Sequence, residues 1–321
     1  MKKSVLYNIN EKIKIEITTN LSQDEKIIAK VKYAALNHRD LWIQKGQYAG
    51  LKFPITLGSD ACVEYKNKEY IINPGFNWGS NEKFQSKEFN ILGLPLDGCF
   101  AEEVAVEEGY LYPKPEHLSA YEAAALPLAG LTAYRALFSR ANIQPNEKIL
   151  ITGIGGGVAL FGLQLAVANG LEVYVTSSSQ TKIDNAITLG AKGGVTYSTP
   201  DWEKEMMTKS GGFDIILDGA CGADFSKLIK LANPGCRISI YGATNGSLQN
   251  ISPQMIFWKQ LNILGSTMGS DNDFQHYLDF INFHKIKPII DTIYPLEQIN
   301  DAFAKMQEAS QFGKILLEIN P

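Results

Sequence analysis

A surplus of basic charge is missing from this 321-residue sequence: 30 lysines and arginines stand against 34 acidic residues, a formal net charge of -4. The basic residues are scattered and form no stripe. That excludes the electrostatic footprint of a protein that holds nucleic acid or an anionic membrane. Cysteine is scarce as well. The four residues, Cys62, Cys99, Cys221 and Cys236, show no CxxC spacing. They are expected as reduced packing thiols of a cytoplasmic chain rather than a disulfide framework. Two lysines near the start precede only a short apolar run before Asn8, Glu11 and Lys12, which is too little for a secretory signal core. No repeat period or low-complexity tract appears. With 45% hydrophobic residues a large core is available, and the length suits two domains.

One long hydrophobic run is present, "ILITGIGGGVALFGLQLAVANG" from Ile149 to Gly170. About eighteen apolar residues normally suggest a membrane helix, and Gly153 and Gly157 have the small-xxx-small spacing of helix dimers. The glycines argue against it. Gly153, Gly155, Gly156 and Gly157 fall within one short stretch, and each would cost a helix interior up to about 1 kcal/mol relative to alanine. No basic flank or aromatic belt brackets the run. A buried strand, a glycine turn and a helix closed by Asn169-Gly170 is the better parse.

Around this run the texture of the chain changes once. Up to about Ser119, short alternating strands such as "KIKIEI" and "KIIAKVKYAAL" are punctuated by Pro and Gly, which predicts a β-rich domain. At Ser119 a helical composition begins, with Glu122 three residues on as a capping box. Strands and helices then alternate: "KILIT" and "GVALFGLQLAVA", "EVYVTSS" and "KIDNAITLG", "FDIILDG" and "FSKLIKLA", "CRISIYG" and "PQMIFWKQ". That order predicts a parallel sheet with right-handed crossovers. "NILGSTM" reads as one more strand and "DFQHYLDFINFHK" as its helix. The tail from Ile286 returns to strand, helix, strand, and folding back onto the first domain would house it.

A glycine turn between strand and helix lets backbone N–H groups approach a pyrophosphate at the helix N-terminus. The literal G-x-G-x-x-G is absent: the nearest register has Ile154 first, Gly156 second and Ala159 third. Gly155, Gly156, Gly157 and Val158 are the expected phosphate contacts. Tight packing is the alternative use of such a turn, and the succession of βα units favours a nucleotide. An NAD site usually places an acid about 20 residues beyond the glycines. Here "VYVTSSSQTK" offers Thr176, Ser177, Ser178 and Ser179, then Lys182, with no acid before Asp184. Hydroxyls and a lysine suit a 2'-phosphate, so NADP(H) is expected, the alternative being that Lys182 is a solvated helix residue. Tyr241 and Gly242 close what reads as the fourth strand of the sheet, where the cofactor would lie.

"PLAGLTAYRALF", "ILITGIGGGVALFGLQLA", "AITLGAKGGVTY", "ILGSTMGS" and "FGKILLEI", in this order, resemble the medium-chain dehydrogenase/reductase superfamily. "ALNHRDLWIQKGQY" and "PITLGSDACVEY" are similar to its zinc-independent quinone-oxidoreductase branch, the zeta-crystallin-like proteins. The resemblance runs from about Val31 to Ile319 and is weakest over residues 67–96. It implies an α/β fold, a Rossmann doubly wound parallel sheet plus a GroES-like β-rich catalytic domain, with the active cleft between them. The expected boundaries are 1–120 with 286–321 for the GroES-like domain and 121–285 for the Rossmann domain. By resemblance, Asn37 and Tyr48 fall where the branch has its active-site amide and phenol, and Trp42 at a second aromatic position. Thr132, Met268 and Gly269 match positions near the nicotinamide ring, and Ser178, Lys182 and Tyr197 match contacts to the 2'-phosphate and adenosine. A turn-capping amide for Asn37 and a loop anchor for Tyr48 are the alternatives. The loop around Trp78 is expected to add unidentified residues to the cleft.

Where the superfamily's zinc enzymes place Cys, His and Cys, this chain has Asn37, Ser59 and Leu128. An amide, a hydroxyl and an isobutyl group cannot supply the thiolate, imidazole or carboxylate donors that zinc needs. The stretch from Asn67 to Leu96 contains no cysteine, so a structural zinc lobe is missing too. His38, Cys62 and Asp60 do not restore a ligand set, and no metal is expected. Without a metal, reduction of a quinone or an α,β-unsaturated carbonyl is easier than alcohol oxidation: hydride reaches carbon, and hydrogen-bond donors stabilise the charged oxygen. The expected activity is therefore NADPH-dependent reduction of a small-molecule quinone or enone. An enoyl-thioester or carbonyl reductase is the alternative within enzymes, and a nucleotide-binding protein without turnover the alternative outside them. "LNILGST" would be an apolar edge strand, and the superfamily pairs such edges across a two-fold axis. A homodimer through residues 261–267 is expected.

Overall fold

The computed structural model describes residues 1–19, 21 and 26–320. The chain divides into two compact units, Met1–Leu131 with Gly269–Pro321, and Thr132–Met268.

In the first unit, β1 (Lys2–Val5) and β2 (Lys14–Ile17) form a hairpin, followed by β3 (Ile27–Ala35) and the short helix α1 (His38–Gln44). Then come β4 (Asp60–Tyr65), β5 (Lys68–Ile72), β6 (Gly75–Phe76), β7 (Asn90–Ile91), β8 (Glu103–Val106), β9 (Leu111–Pro113) and α2 (Ala120–Ala124). In β3, Ala29 and Val31 face inward while Lys30 is exposed, the alternation of a half-buried strand. Leu6, Val31, Leu57, Phe100, Phe303 and Leu317 are among the residues of this unit's core.

Ser119 caps α2 with Glu122 in the reciprocal arrangement that the sequence predicts: the Glu122 carboxylate accepts the Ser119 N–H at 2.8 Å. The helical texture then breaks. Pro127, lacking an N–H, opens a separate helix α3 (Pro127–Tyr134), which continues as a π-helical stretch, Arg135–Arg140.

Within the second unit six strands lie parallel: β10 (Lys148–Ile151), β11 (Glu172–Ser177), β12 (Gly193–Thr196), β13 (Phe213–Asp218), β14 (Ala232–Ile240) and β15 (Asn262–Gly265). Their spatial order is β12-β11-β10-β13-β14-β15, the doubly wound order that reverses beside the first strand. The connecting helices are α4 (Gly157–Ala168), α5 (Gln180–Thr188), α6 (Trp202–Ser210), α7 (Phe225–Leu231) and α8 (Pro253–Trp258). Ile149–Gly170 is thus strand, turn and helix, and among the described residues no helix is long and apolar enough to cross a membrane. β12 and α6 are not in the sequence reading, so Tyr241 and Gly242 follow the fifth strand of this sheet in chain order rather than the fourth.

The chain returns to the first unit through α9 (Asp271–His284), β16 (Ile290–Pro295), α10 (Ile299–Glu308) and β17 (Lys314–Glu318). β17 pairs antiparallel with β3, Leu316 opposite Ala35, so the tail does fold back onto the first unit's sheet. The compact division falls at Leu131 and Gly269, not after 120 and before 286. The reason is packing. The α9 phenol Tyr277 donates to the Leu126 carbonyl at 3.2 Å, its hydroxyl fills the space a Cβ on Gly130 would need, and Phe274 meets Tyr112 edge-on. All four cysteines are free and buried, and burial pushes the Cys62 and Cys236 thiols up to about 12.

Candidate cofactor turn and polar cluster

The second unit's glycine turn is built from conformations that side chains disfavour. Gly153 has φ 64° and Gly155 φ 131°, which only glycine adopts readily. Gly156 is the N-cap of α4. A Cβ on Gly153 or Gly156 would meet nothing within 4 Å, so the space beside the turn is open to a ligand. The first helical bond runs from the Leu160 N–H to the Gly156 carbonyl, which leaves the N–H groups of Gly157 and Val158 in the first turn without helical acceptors. That fits a pyrophosphate. Sequence reasoning missed Gly162: its Cβ would lie 2.6 Å from Leu217 Cδ2, so this glycine lets α4 settle onto β13.

At the end of β11 the hydroxyls divide into two groups. The Gly153 N–H donates to Thr176 Oγ1 (3.3 Å) and the Ile154 N–H to the Thr176 carbonyl (2.8 Å), while Ser177 Oγ donates to the Ile154 carbonyl (3.4 Å). Thr176 and Ser177 are buried and stitch the turn to β11; Ser178 is exposed. Lys182 stands in the first turn of α5, and the Tyr197 N–H donates to the Ser177 carbonyl at 3.0 Å. Ser178 and Tyr197 directly follow the paired residues Ser177 and Thr196 at the ends of β11 and β12.

Asp218 closes β13 as a buried acceptor for Thr152 Oγ1 (2.5 Å), the Ala220 N–H (3.2 Å) and the Cys221 N–H (2.9 Å). The Tyr241 N–H donates to the Asp218 carbonyl at 3.0 Å, and its ring lies where a Cβ on Gly219 would sit. Burial pushes the Tyr241 phenol up, and the Asp218 charge adds to it. The Gly242 carbonyl accepts from the Cys221 thiol at 3.2 Å. Thr132 Oγ1 points at Met268 Sδ, 4.0 Å away, and Met268 takes the left-handed φ of 43°. Gly269 has no room for a side chain, because a Cβ would lie 2.4 Å from Leu131 Cδ1.

In the first unit Asn37 links the end of β3 to α1 as its N-cap. Asn37 and Asp40 form a capping box at the start of α1, and the Asn37 side chain also has partners beyond the helix. Asn37 Oδ1 accepts from Lys314 Nζ (2.7 Å), and Nδ2 donates to Asp60 Oδ2 (2.9 Å). Lys314 Nζ also donates to Asp60 Oδ2 and to the Leu36 carbonyl, both at 2.9 Å, and the Leu128 N–H donates to Asp60 Oδ1 at 2.8 Å. This ion pair is almost wholly buried, with side-chain exposures of 4% for Lys314 and 0% for Asp60. Asn37 and Leu128, two of the residues that the resemblance sets at the zinc enzymes' ligand positions, thus converge on one carboxylate paired with an ammonium. Ser59, the third, accepts from Arg39 Nη1 at 2.7 Å and donates to the Leu92 carbonyl at 2.8 Å. Among the described residues no group of three or more His, Cys, Asp or Glu is placed to hold a metal.

Arg39 is buried, and its guanidinium carbon lies 5.1 Å from the centroid of the Tyr48 ring. A cation over that face fixes the half-buried phenol. Asp40 accepts the Asn37 N–H at 2.8 Å, and burial pushes its carboxyl up to about 6 against the pull of Arg39. Trp42 is half-buried on the same helix, tilted 6.1 Å from His38, and burial, with the charges of Lys314 and Lys45, lowers the His38 imidazole. α1 therefore carries Trp42 and supports both Asn37 and Tyr48. Trp78 belongs elsewhere: it is buried within its own loop, edge-on to Phe89 at 5.3 Å, with its indole N–H donated to the Asn81 carbonyl at 3.0 Å. Sequence reasoning missed Lys314 and Arg39. The signal for Lys314 was a single charge opening the inward-facing run "KILLE" of β17.

Residues 23–116 match the alcohol dehydrogenase GroES-like domain family, and residues 157–282 match the family described as zinc-binding dehydrogenase. The zinc-type alcohol dehydrogenase-like protein YogA of Leptosphaeria maculans is 33% identical over 92% of this chain and 90% of that protein. A crystal structure of an NAD-dependent alcohol dehydrogenase superposes with a TM-score of 0.92 at 32% identity over 99% of both chains. The quinone oxidoreductase of Thermus thermophilus, solved alone and with NADPH, superposes with a TM-score of 0.84 at 25% identity over 99% of this chain and 100% of that one. With a GroES-like domain, a doubly wound parallel sheet and full-length relatives of this kind, the chain belongs to the medium-chain dehydrogenase/reductase superfamily and is an oxidoreductase.

Proposed function

We propose that this oxidoreductase uses NADP(H), works without zinc and reduces a small quinone or α,β-unsaturated carbonyl compound. The observation that carries the reading is the Lys314 ammonium 2.7 Å from Asn37 and 2.9 Å from Asp60. It brings a positive charge to the residues that stand at the zinc enzymes' ligand positions, where a divalent cation would be repelled. For NADP(H), the support is Ser178, exposed just after β11 and followed by Lys182 in the first turn of α5. Asp184, the first acid beyond β11, is engaged on the exposed face of α5, accepting from Gln180 Nε2 at 2.8 Å. When bound, the nicotinamide supplies the hydride.

The chain's own residues then handle the oxygen on which charge collects. Asn37 and Tyr48 are the donors proposed for it, Arg39 holds the Tyr48 ring, and Trp42 gives an apolar wall to a planar acceptor. The backbone of Gly155, Gly156, Gly157 and Val158 would hold the pyrophosphate, with Thr132, Tyr241, Gly242, Met268 and Gly269 beside the remainder of the cofactor. A homodimer through β15 belongs to the same reading. That strand is an edge of its sheet with Ile263 37% exposed, and Trp258 just before it is 84% exposed.

The test is NADPH oxidation with a panel of quinones and enones, before and after dialysis against a strong chelator. Turnover that survives the chelator is expected. Activity lost to the chelator and restored by zinc, with NAD-linked alcohol oxidation, would replace this reading by that of an alcohol dehydrogenase. Tight NADPH binding with no turnover of any acceptor would leave a binding role instead.

A further inference from the structure

We propose that Lys314 and Asp60 are positioning residues that lock the Asn37 side-chain amide in one of its two orientations, presenting its second N–H to the substrate oxygen. The inference rests on the proposed reduction of a carbonyl-type acceptor and names how its donor is held.

An asparagine amide has two nearly isosteric orientations, and only its surroundings choose between them. Here the choice is forced. Lys314 Nζ, which can only donate, lies 2.7 Å from Oδ1, while Asp60 Oδ2 accepts from Nδ2 at 2.9 Å. Reversing the amide would set its NH2 against an ammonium and its oxygen against a carboxylate. The two locking groups are themselves held. The Lys314 ammonium has three acceptors, in the Leu36 carbonyl, Asn37 and Asp60, and Asp60 takes the Leu128 N–H on its other oxygen. The pair sits in a nearly dry place, so each contact is stronger than in water.

One donor is left over. Nδ2 carries two hydrogens, and the planar amide turns the second away from Asp60. The Asn37 backbone N–H is already given to Asp40. A buried ion pair is a costly way to stabilise a fold. As a device for fixing one amide donor it has a use, because a donor already in place needs no reorganisation as charge develops.

The experiment has two arms, both on the full chain. In the first, side-chain amide spectra of 15N-labelled protein are recorded, with the Asn37 pair identified by its disappearance in Asn37→Ser. One strongly shifted, slowly exchanging proton and one faster-exchanging partner are expected. Lys314→Met should erase the difference. So should the neutral pair Asp60→Asn with Lys314→Met, which avoids leaving one buried charge alone. Two equally protected protons, or a spectrum that neither variant changes, would overturn the proposal.

In the second arm, Lys314→Met should lower kcat by roughly ten- to a hundredfold, short of the 10²–10³ that outright loss of a donor costs. KM for NADPH should stay put. In an Asn37→Ala background the same substitution should lower kcat no further, because Lys314 acts through Asn37. An undiminished additional loss there would also overturn the proposal. If the parent chain reduces no quinone or enone, the proposed activity fails, and the amide spectrum still decides the positioning.

Discussion

Asp40 offers a prediction whose sign is opposite to that of most carboxylates. Its side chain is fully buried. One oxygen accepts the Asn37 N–H, and the other has no hydrogen-bond partner among the described residues. Burial raises its carboxyl from 3.8 to about 6, with Asp60 adding to the rise while Arg39, the Asn37 N–H and Lys314 oppose it. A carboxylate with a folded pKa above its unfolded one binds more protons in the native state. Stability is therefore lost, not gained, as pH rises through that window. The gap of about two pH units at about 1.36 kcal/mol each gives a loss of roughly 3 kcal/mol, complete just above pH 6.

Asp40→Asn removes the titration and keeps an oxygen to accept the Asn37 N–H. Groups common to both proteins cancel in the comparison. The variant should gain about 2 kcal/mol on the parent between about pH 4.5 and about pH 7.5, because part of the loss has already occurred at the lower pH. Urea unfolding of both proteins at the two pH values measures this directly. A difference that stays flat, or a variant that loses ground as pH rises, would mean that Asp40 is held ionised, and the burial argument would be wrong.

Three further outcomes concern the cofactor, the acceptor and assembly. Lys182→Ala should weaken NADPH about tenfold or more and leave NADH nearly untouched in fluorescence titration, since a charge-assisted contact contributes about 1.5–3 kcal/mol; equal affinities in the parent would remove the case for a 2'-phosphate site. Tyr48→Phe should lower single-turnover NADPH oxidation with cofactor affinity constant. The loss should be below the ~2.7–4 kcal/mol of a dry oxyanion donor, because Tyr48 is half-buried and water can replace part of it; a parental rate on every accepted substrate would reduce Tyr48 to a wall residue. The parent should scatter light as a dimer and Ile263→Lys as a monomer, because the charge lands on the edge strand; a monomeric parent at micromolar concentration would refute pairing through β15.

How far the sequence can be read depends on the distance between cause and effect. Ser119 and Glu122 are three residues apart and cap one helix, and the glycines at 153, 155 and 156 sit in the turn they make possible. Such features are visible in a line of letters. The glycines of β12 mislead for the opposite reason. Gly193-Gly194 gives no strand signal in the letters, yet a Cβ on Gly194 would lie 2.7 Å from both Ile183 and the Val175 carbonyl. That glycine records close packing of a strand under α5, and only the neighbours reveal it. α9 follows the second unit's last strand as a crossover helix would, and it packs with the first unit because Tyr277 and Phe274 find Gly130 and Tyr112 there. The loop around Trp78 has no pattern that assigns its residues, and its tryptophan is buried as that loop's own core.

Lys314 lies between these cases. A lysine opening the inward-facing strand "KILLE" cannot stay charged without a partner, so the sequence already demands a buried acid. It does not say which one, since the acid is 254 residues away along the chain. Asp60 stands out in the sequence for another reason, as a failed substitute for a zinc ligand beside Ser59. The two puzzles solve each other: the acid that completes no metal site is the counter-charge of the lysine that lacks one, and the amide of Asn37 lies between them. What sequence reasoning needed there was to ask where each unpaired inward charge must go before asking what each polar residue binds.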